Sequence, residues 1–386
     1  MPRFPNTITS KQPKAGTTIF AVMSKLANEL GAINLSQGFP DFGCSKELIA
    51  LVNKYMKKGY NQYATLQGAL PLREQIAGKI EYLYSAKYNP ETEINITAGA
   101  TQAIYTVITA MIKEGDEVIV FEPAYDCYVP SIELNNGVPV YVQLKPPDYH
   151  IDWTEVRKLI NPRTKMIMIN TPHNPAGSIL NAADMMKLEK LTRDTNIVIL
   201  SDEVYEHIIF DGYEHQSIIR FPKLAERSFI VFSFGKTFHA TGWKIGYCIA
   251  PENLMKEFRK AHQFIVFTCN TPMQYALADY LKEKSNYLCL PDFYQKKRDY
   301  FNELVRNSKF KLKPSLGSYF QLLDYSDITD EKDTDYAIRL TKEAGVASIP
   351  VSAFYHKPVD DKTLRFCFAK EEETLERAAE KLCKIT

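Results

Sequence analysis

Short apolar runs recur between residues 93 and 250, and stretches with helical patterning separate them. Near-continuous apolar runs are typical of strands buried on both faces, and strands that alternate with helices form a mainly parallel sheet covered by helices. This alternation predicts the α/β class, and it constrains the fold more strongly than any other feature of the sequence. The predicted strands are residues 117–121, 138–142, 165–170, 196–200, 229–232 and 246–250, with a further strand starting at Ile94.

The C-terminal part has a different pattern, which predicts a second domain. A charged helix over residues 293–300 precedes strand-like runs at 318–323 and 363–368 and an amphipathic helix over 373–382. Residues 33–41 are too loop-like to start the large sheet, so we expect them to join this second part. At 386 residues the chain is also too long for one compact core. We therefore expect a large domain over residues 46–288 and a small α+β domain formed by residues 1–45 and 289–386.

The composition argues against several classes of protein. A formal net charge of +1 gives no reason to expect a nucleic-acid or membrane partner. The seven cysteines are odd in number and include no C-x-x-C pair, which argues against a disulfide framework and a zinc site and fits a reducing cytoplasm. The N-terminus has no apolar core of signal-peptide length, and no run of about 20 apolar residues suggests a membrane span. We expect a cytoplasmic protein without a metal.

Two lysines lie eight residues apart in the segment that follows the predicted strand at 229–232. Most lysines are solvated surface charges, but Lys236 is flanked by Gly, Phe and Thr rather than by other charges. One amine can form a Schiff base with an aldehyde cofactor. The other cation, Lys244, can hold a phosphate together with the hydroxyl of Ser233. Pyridoxal 5'-phosphate (PLP) requires both groups.

Polar residues follow two more of the predicted strands, and in such sheets ligands bind beyond the carboxyl ends of the strands. Asn174 lies before a proline in a rigid turn, where its amide can reach the phenolic oxygen of PLP, although a simple turn is the alternative. Asp202 closes an apolar run, where a carboxylate needs a cation such as the PLP ring nitrogen. A helix N-cap is an equally sound interpretation of Asp202. Tyr205 can donate to the same phenolic oxygen as Asn174.

Small residues connect the strand at Ile94 to a predicted helix over residues 102–113. The first-turn N–H groups near Gly99, Ala100 and Thr101 need an anion, and small side chains let a phosphate approach. The nucleotide motifs G-x-G-x-x-G and G-x-x-x-x-G-K-[ST] do not occur, which disfavours a nicotinamide dehydrogenase. Tyr125, after the strand at 117–121, is the expected aromatic partner of the pyridine ring, with ordinary packing as the alternative.

The order of these segments resembles that of the class I/II aminotransferases, which are PLP enzymes of fold type I. The shared order is a small-residue anion turn, an aromatic, Asn-Pro-x-Gly, Asp-x-x-Tyr, Ser-x-x-Lys and a late arginine, and it spans nearly the whole chain. Residues 34–42, 63–73 and 121–128 are similar to the methionine, glutamine and kynurenine branch. Thr268 and Phe20 stand where kynurenine-type relatives often have histidine and tryptophan, which favours methionine or another apolar donor.

The resemblance implies a mainly parallel seven-stranded sheet and transfer of an amino group from an L-amino acid to a 2-oxo acid. It makes Lys236 the Schiff-base lysine, Arg365 the clamp on the substrate carboxylate and Gly38 the residue that closes over it. Tyr63 would reach the phosphate of the partner subunit, which implies a homodimer with sites at its interface. The implied catalytic residues are Lys236, Asp202 and Tyr205. The implied cofactor-binding residues are Gly99, Ala100, Thr101, Tyr125, Asn174, Asp202, Tyr205, Ser233, Lys236, Lys244 and Tyr63. The implied substrate-binding residues are Gly38, Phe20, Asn174, Arg365 and Phe354.

Two other functions stay open at this point. A carbon–sulfur β-lyase on the same fold would use the same cofactor residues, so those residues do not separate it from an aminotransferase. A PLP-binding ligand sensor is a different class of protein, and such regulators carry an added DNA-binding domain. We expect no such domain here, because the residues before Ile33 are too few to form one.

Overall fold

The computed structural model describes residues 5–13, 16–357 and 359–385, in which helices and strands alternate. The helices are α1 (Ile19–Leu30), α2 (Lys46–Lys57), α3 (Leu70–Tyr84), α4 (Gly99–Met111), α5 (Tyr128–Leu134), α6 (Trp153–Leu159), α7 (Ala182–Thr192), α8 (Pro222–Ala225), α9 (Phe234–Thr237), α10 (Glu252–Ile265), α11 (Thr271–Tyr280), α12 (Ser285–Leu288), α13 (Leu290–Val305), α14 (Asp333–Glu343) and α15 (Glu372–Cys383). The strands are β1 (Ile33–Asn34), β2 (Ile94–Thr97), β3 (Glu117–Glu122), β4 (Val138–Gln143), β5 (Thr164–Asn170), β6 (Val198–Asp202), β7 (Ser228–Ser233), β8 (Gly246–Ile249), β9 (Lys311–Leu312), β10 (Phe320–Asp324), β11 (Val346–Ala347), β12 (Ile349–Pro350) and β13 (Thr363–Cys367).

A seven-stranded sheet in the order β2-β8-β7-β6-β5-β3-β4 forms the centre of the protein. The strands from β7 to β4 run parallel to their neighbours, whereas β8 is antiparallel to both β7 and β2. In the β7–β8 pair, Ser233 lies opposite Gly246. The predicted α/β class and mainly parallel sheet are confirmed.

Alternate residues along the central strands pack into two separate hydrophobic clusters, one on each face of the sheet. On β3, Ile119 and Phe121 belong to one cluster, and Val118 and Val120 belong to the other. Successive side chains on a strand point to opposite faces, so a strand covered on both sides must be apolar at nearly every position. This is why the sequence shows continuous apolar runs rather than alternation. Strand β4, at the edge, is mostly half-exposed.

Among the boundaries that differ from the sequence prediction, two affect residues of the predicted site. Helix α4 begins at Gly99 rather than at residue 102. Strand β6 covers Val198–Asp202 rather than residues 196–200, and Asp202 pairs with Asn170 of β5. Pairing with β5 sets this register, so Ser201 and Asp202 are drawn into the strand although neither residue type favours strands. Asp202 therefore ends β6 at the carboxyl edge of the sheet.

The N-terminal segment and the C-terminal third form two smaller sheets. Strands β12, β13, β10 and β9 make an antiparallel sheet, and β1 pairs in parallel with β11. The carbonyl of Leu35 also accepts a hydrogen bond of 2.8 Å from the N–H of Cys367. All strands of the central sheet lie between residues 94 and 249. The division at residues 46 and 288 stays a prediction.

Neither a membrane-crossing helix nor a metal-binding cluster occurs in the part of the chain that the structure describes. None of its helices is long and apolar enough to cross a membrane. No group of three or more His, Cys, Asp or Glu side chains there is arranged to hold a metal ion. A cavity of about 230 Å³ opens at the carboxyl ends of β5, β6 and β7.

Candidate active site

The cavity brings together residues from both parts of the chain. Strands β5, β6 and β7 contribute their last residues, α4 contributes its first turn, and β13 contributes an arginine. The predicted site residues that line it are Phe20, Gly38, Gly99, Ala100, Thr101, Tyr125, Asn174, Asp202, Tyr205, Ser233, Lys236, Lys244 and Arg365. Tyr63 and Phe354 do not line it. Phe354 lies behind Phe20, with 5.7 Å between the ring centroids.

Lys236 lies on α9, the single helical turn that follows β7. Its Nζ donates to the Tyr319 hydroxyl at 2.6 Å and to the Gly38 carbonyl at 3.0 Å. Burial lowers the pKa of the Lys236 amine to about 8, and the nearby guanidinium of Arg365 contributes to the shift. An amine with this pKa is about one-tenth neutral at pH 7, far more than an ordinary lysine, and the neutral form is the one that a nucleophile or a general base requires.

Asp202 is buried at the end of β6, where no helix begins. Its carboxylate accepts hydrogen bonds from the Tyr128 hydroxyl at 2.6 Å and from the N–H of Val204 at 3.3 Å. The residues after it form turns, so the helix N-cap interpretation is wrong. Burial raises the pKa of Asp202 to about 6, although the hydrogen bonds and the Lys236 amine oppose the shift. A carboxylate in this position is stabilised by a cation placed beside it in the cavity.

An anion-binding corner forms where the first turn of α4 meets Lys244. The N-cap residue of α4, Ala98, makes no side-chain cap to this helix. Gly99 has φ +79°, and a Cβ built there would lie 3.4 Å from Cε and 3.5 Å from Nζ of Lys244. Lys244 itself takes a left-handed backbone conformation with φ +55°, which is uncommon for a lysine. The helix N-terminus, the ammonium and the nearby Ser233 hydroxyl suit a phosphate group.

Arg365 is 1% exposed and has no carboxylate partner among the described residues. Its Nη1 donates to Oδ1 of Asn174 at 2.7 Å, its Nη2 donates to the Ser36 carbonyl at 3.0 Å, and its buried Nε has no partner there. The Phe320 ring centroid lies 3.9 Å from its Cζ. A buried guanidinium held by neutral groups is suited to binding a carboxylate through its planar fork.

The contact with Arg365 also orients the Asn174 side chain. Arginine only donates hydrogen bonds, so the amide must turn its oxygen toward Arg365 and leave its NH₂ group as the donor for a second partner. Tyr205 is 3% exposed, and burial raises the pKa of its hydroxyl, which stays a neutral donor. Asn174 and Tyr205 can therefore both donate to a negatively charged oxygen in the cavity.

Sequence reasoning missed several residues at this site, among them Tyr319 and Asp126. Tyr319 contacts the Lys236 amine, but its segment has the composition of a core strand and carries no signal of a site. Asp126 lines the cavity, and burial raises the pKa of its carboxyl while Arg365 opposes the shift. Its place directly after Tyr125, beyond a strand end, was a usable signal.

Tyr63 lies on an exposed aromatic surface outside the cavity. Its side chain is 82% exposed and packs edge-to-face on Phe267, with 5.4 Å between the ring centroids. Phe264 is 85% exposed. Thr268 donates to the carbonyl of Thr65 at 3.2 Å and links the two segments. Several large exposed aromatic side chains are typical of a surface that another molecule covers.

The residues present fit PLP on three counts. The corner at α4, Lys244 and Ser233 suits its phosphate. Burial raises the pKa of the Asp202 carboxyl, and a protonated ring nitrogen beside it would stabilise its charged form. The partly neutral amine of Lys236 suits its aldehyde.

Comparisons with known proteins agree with this geometry. Residues 31–382 match the model of the family described as aminotransferase class I and II. The methionine aminotransferase of Escherichia coli K12 is 46% identical over 97% of this chain and 98% of its own length. Kynurenine–oxoglutarate transaminase 1 of Rattus norvegicus is 33% identical over 95% of each chain. An Escherichia coli crystal structure assigned a methionine aminotransferase function superposes with a TM-score of 0.97, at 46% identity over 98% of this chain and all of that one.

Proposed function

The chain belongs to the class I and II aminotransferases, and we propose that its amino donor is methionine or another L-amino acid with an uncharged side chain. It is an aminotransferase, and fold type I members of this family are PLP-dependent. The observation that carries the choice of donor is the cation content of the cavity. The lining cations from the described residues are Lys236, Lys244 and Arg365, and only Arg365 is left for substrate.

The surroundings of Arg365 support an apolar donor side chain. Its Cζ lies 5.0 Å from the ring centroid of Phe354 and 5.4 Å from that of Phe20. The carboxyl of Asp126 also lines the cavity. A second carboxylate on the donor would meet Asp126 and aromatic rings rather than a cation, which is costly in a buried site. The Escherichia coli relative is named for methionine, which agrees with this preference.

The proposed roles of the cofactor-binding residues follow from the cavity. Ser233, Lys244 and the first turn of α4 hold the phosphate. Asn174 and Tyr205 would donate to the phenolic oxygen, Asp202 would pair with the ring nitrogen, and Tyr125 would pack on the ring. When bound, PLP supplies an electron sink for the carbanion formed at the substrate α-carbon.

The chain's own residues then supply binding and proton transfer. The Arg365 fork binds the α-carboxylate and fixes the orientation of the α-carbon. The Nζ of Lys236 takes the proton from that carbon and gives it up again later in the cycle. Phe20, Phe320 and the buried part of Arg365 exclude water from this side of the cavity.

A donor screen tests the proposed substrate class. We expect kcat/KM for methionine to exceed that for aspartate by about 10²-fold, because burying an unpaired carboxylate costs a few kcal/mol. Each donor is assayed with several 2-oxo acids, and oxo-acid consumption is measured. The Asp126→Asn substitution should raise kcat/KM for aspartate and so reduce the ratio of the methionine value to the aspartate value.

Two outcomes of the screen would contradict the proposal. A higher kcat/KM for aspartate would mean that a second cation reaches the substrate. Release of pyruvate and ammonia from cysteine conjugates, faster than any transfer to an oxo acid, would favour the β-lyase.

We also propose that two copies of this chain form a dimer in which Tyr63 reaches the partner's phosphate. The exposed aromatic surface around Tyr63 and Phe267 supports this assembly. A mixture of Tyr63→Ala and Lys236→Ala chains should regain activity, because one site of each heterodimer keeps both residues. Random pairing in a two-fold dimer predicts about a quarter of wild-type activity for an equal mixture.

The complementation experiment is run at limiting PLP, where loss of a phosphate contact has its largest effect. Each variant assayed alone provides the baseline. If heterodimers form, as shown by native mass spectrometry, and activity does not rise above that baseline, Tyr63 acts within its own subunit.

A further inference from the structure

The Lys236 amine, the Tyr319 hydroxyl and the Gly38 carbonyl are joined to one another by three hydrogen bonds. The Nζ of Lys236 donates to the Tyr319 hydroxyl at 2.6 Å and to the Gly38 carbonyl at 3.0 Å. The Tyr319 hydroxyl donates its own proton to the same carbonyl. With that proton engaged, the hydroxyl can only accept from Lys236, so its acceptor side faces the amine.

We propose that Tyr319 is a catalytic residue whose hydroxyl holds the released amine of Lys236 where it takes up and returns the substrate α-proton. The proposal rests on the role of Lys236 in the proposed function. The proton moves from the α-carbon to the lone pair of Nζ, and PLP, when bound, would take up the electron pair left behind. Tyr319 neither gains nor loses a proton, since its own stays bonded to Gly38.

The backbone before Tyr319 is fixed by hydrogen bonds to the segments that follow β5 and β6. The N–H groups of Leu316 and Gly317 both donate to the Gly177 carbonyl, at 2.9 and 3.0 Å. The N–H of Ser318 donates to the backbone carbonyl of Ile208 at 2.9 Å. Ser318 has a φ of +62°, which lies in the left-handed region that a serine rarely adopts. An unfavourable backbone conformation next to a reacting group is often retained for function.

The ring of Tyr319 is held as firmly as its backbone. It is completely buried and packs edge-to-face on Tyr205, with 5.0 Å between the centroids. The backbone carbonyl of Tyr319 accepts a hydrogen bond from the N–H of Phe368 at 3.1 Å. A Cβ at Gly38 would lie 2.7 Å from Cζ of Phe320, so only glycine keeps this carbonyl beside the amine without displacing that ring. The hydroxyl therefore has one position relative to Lys236.

Charged and titratable groups surround the amine on several elements. They are Asp202 on β6, Tyr205 in the following turn, Lys244 before β8, and Arg365 and Cys367 on β13. Burial is the dominant effect and lowers the pKa of Lys236. A hydrogen bond accepted from the ammonium stabilises the charged form and opposes burial. Loss of the Tyr319 hydroxyl should therefore lower the amine pKa further and weaken the base.

Tyr294 provides a matched control in the same aromatic cluster. It is completely buried, its ring lies 5.9 Å from that of Tyr319, and its hydroxyl has no partner in the described part of the chain. Tyr294→Phe removes the same group from the same surroundings without touching Lys236. Any effect of general repacking should appear in both variants.

The test measures the Lys236 amine directly in the cofactor-free protein. An acylating reagent labels amines over a range of pH, and peptide mapping by mass spectrometry gives the labelling rate, and so the pKa, at Lys236. We expect Tyr319→Phe to lower this pKa by about one unit, the size expected for a hydrogen bond from a charged donor. In the holoenzyme, kcat with the best donor should fall tenfold or more and KM should change little. Tyr294→Phe should change neither.

An amine pKa in Tyr319→Phe equal to that in Tyr294→Phe would overturn the proposal. If Tyr319→Phe does not fold, Tyr319→Met fills the space with a flexible apolar side chain, and the same fall in amine pKa is expected. An unchanged pKa in that variant would equally overturn it. A different result would contradict the proposed function: ordinary transamination by the Lys236→Ala variant.

Discussion

Replacing Lys236 with alanine is expected to lower transamination by about 10⁴-fold or more, because the variant would lose the amine that we propose transfers the proton. The phosphate contacts at α4, Ser233 and Lys244 stay intact, so the protein should still bind PLP. Turnover is measured with methionine and an oxo acid, and bound cofactor by its absorbance after gel filtration. The visible band that arises from attachment to the lysine should be missing.

Lys297→Ala is the control for loss of a buried lysine. The Lys297 amine donates to the carbonyl of Lys370 at 2.7 Å, away from the cavity. This variant should lose some stability but keep its turnover per bound cofactor. Ordinary turnover in Lys236→Ala would remove Lys236 from the mechanism and, with it, the proposed reaction.

Asp202→Asn should lower kcat by about 10²–10³-fold, the usual cost of removing an electrostatic contact at a reacting group. Asparagine has nearly the same shape but only one acceptor oxygen, which can accept from the Val204 N–H while its NH₂ group donates to the Tyr128 hydroxyl oxygen. It lacks the negative charge that, in the proposed function, would keep the ring nitrogen protonated. The protein should therefore fold and bind PLP while its electron sink is weakened.

The same substitution has an opposite effect on the cofactor-free protein. The pKa of Asp202 is about 6 in the fold and about 4 in an unfolded chain. The folded state thus holds this proton more tightly, and ionisation destabilises it increasingly as the pH rises from about 4 to 6. The Tm of cofactor-free Asp202→Asn should therefore exceed that of wild type, by a margin that grows over this range and is constant above it.

Asp184→Asn is the control for a buried carboxylate outside the cavity. Asp184 accepts from Nε1 of Trp153 at 2.9 Å and caps α7. Its loss should lower the Tm and leave kcat nearly unchanged. If Asp202→Asn instead lowered the cofactor-free Tm and kept kcat within a few-fold, Asp202 would have a structural role only.

The central sheet was predictable because strands buried on both faces are apolar at nearly every position, and this gives continuous apolar runs in the sequence. The same logic located Asp202 and Lys236, since the carboxyl ends of parallel strands converge on one edge. The exact end of β6 was not predictable, because pairing with β5, rather than local propensity, brings Asp202 into the strand. The helix N-cap alternative fails for the same reason: local sequence does not show whether a turn or a helix follows.

The other features of the site that the sequence did not predict depend on contacts between distant segments of the chain. Tyr319 lies 83 residues from Lys236, and a tyrosine in an apolar run has the pattern of a core residue. Arg365 stood out because of its apolar neighbours, but only the fold shows that its partners are neutral groups. The role of Tyr63 depends on a second chain and stays a prediction.

The antiparallel pairing of β8 with β7 has a consequence for how such an enzyme can change over evolution. Because β8 runs back from the edge where β7 ends, the connection between Ser233 and Gly246 carries both Lys236 and Lys244 to that edge. The proposed chemical step and the proposed phosphate anchor are thus encoded in one stretch of fourteen residues. An insertion or deletion there would disturb both at once. We expect this connection to keep its length while the surrounding walls of the cavity diverge to accept new donors.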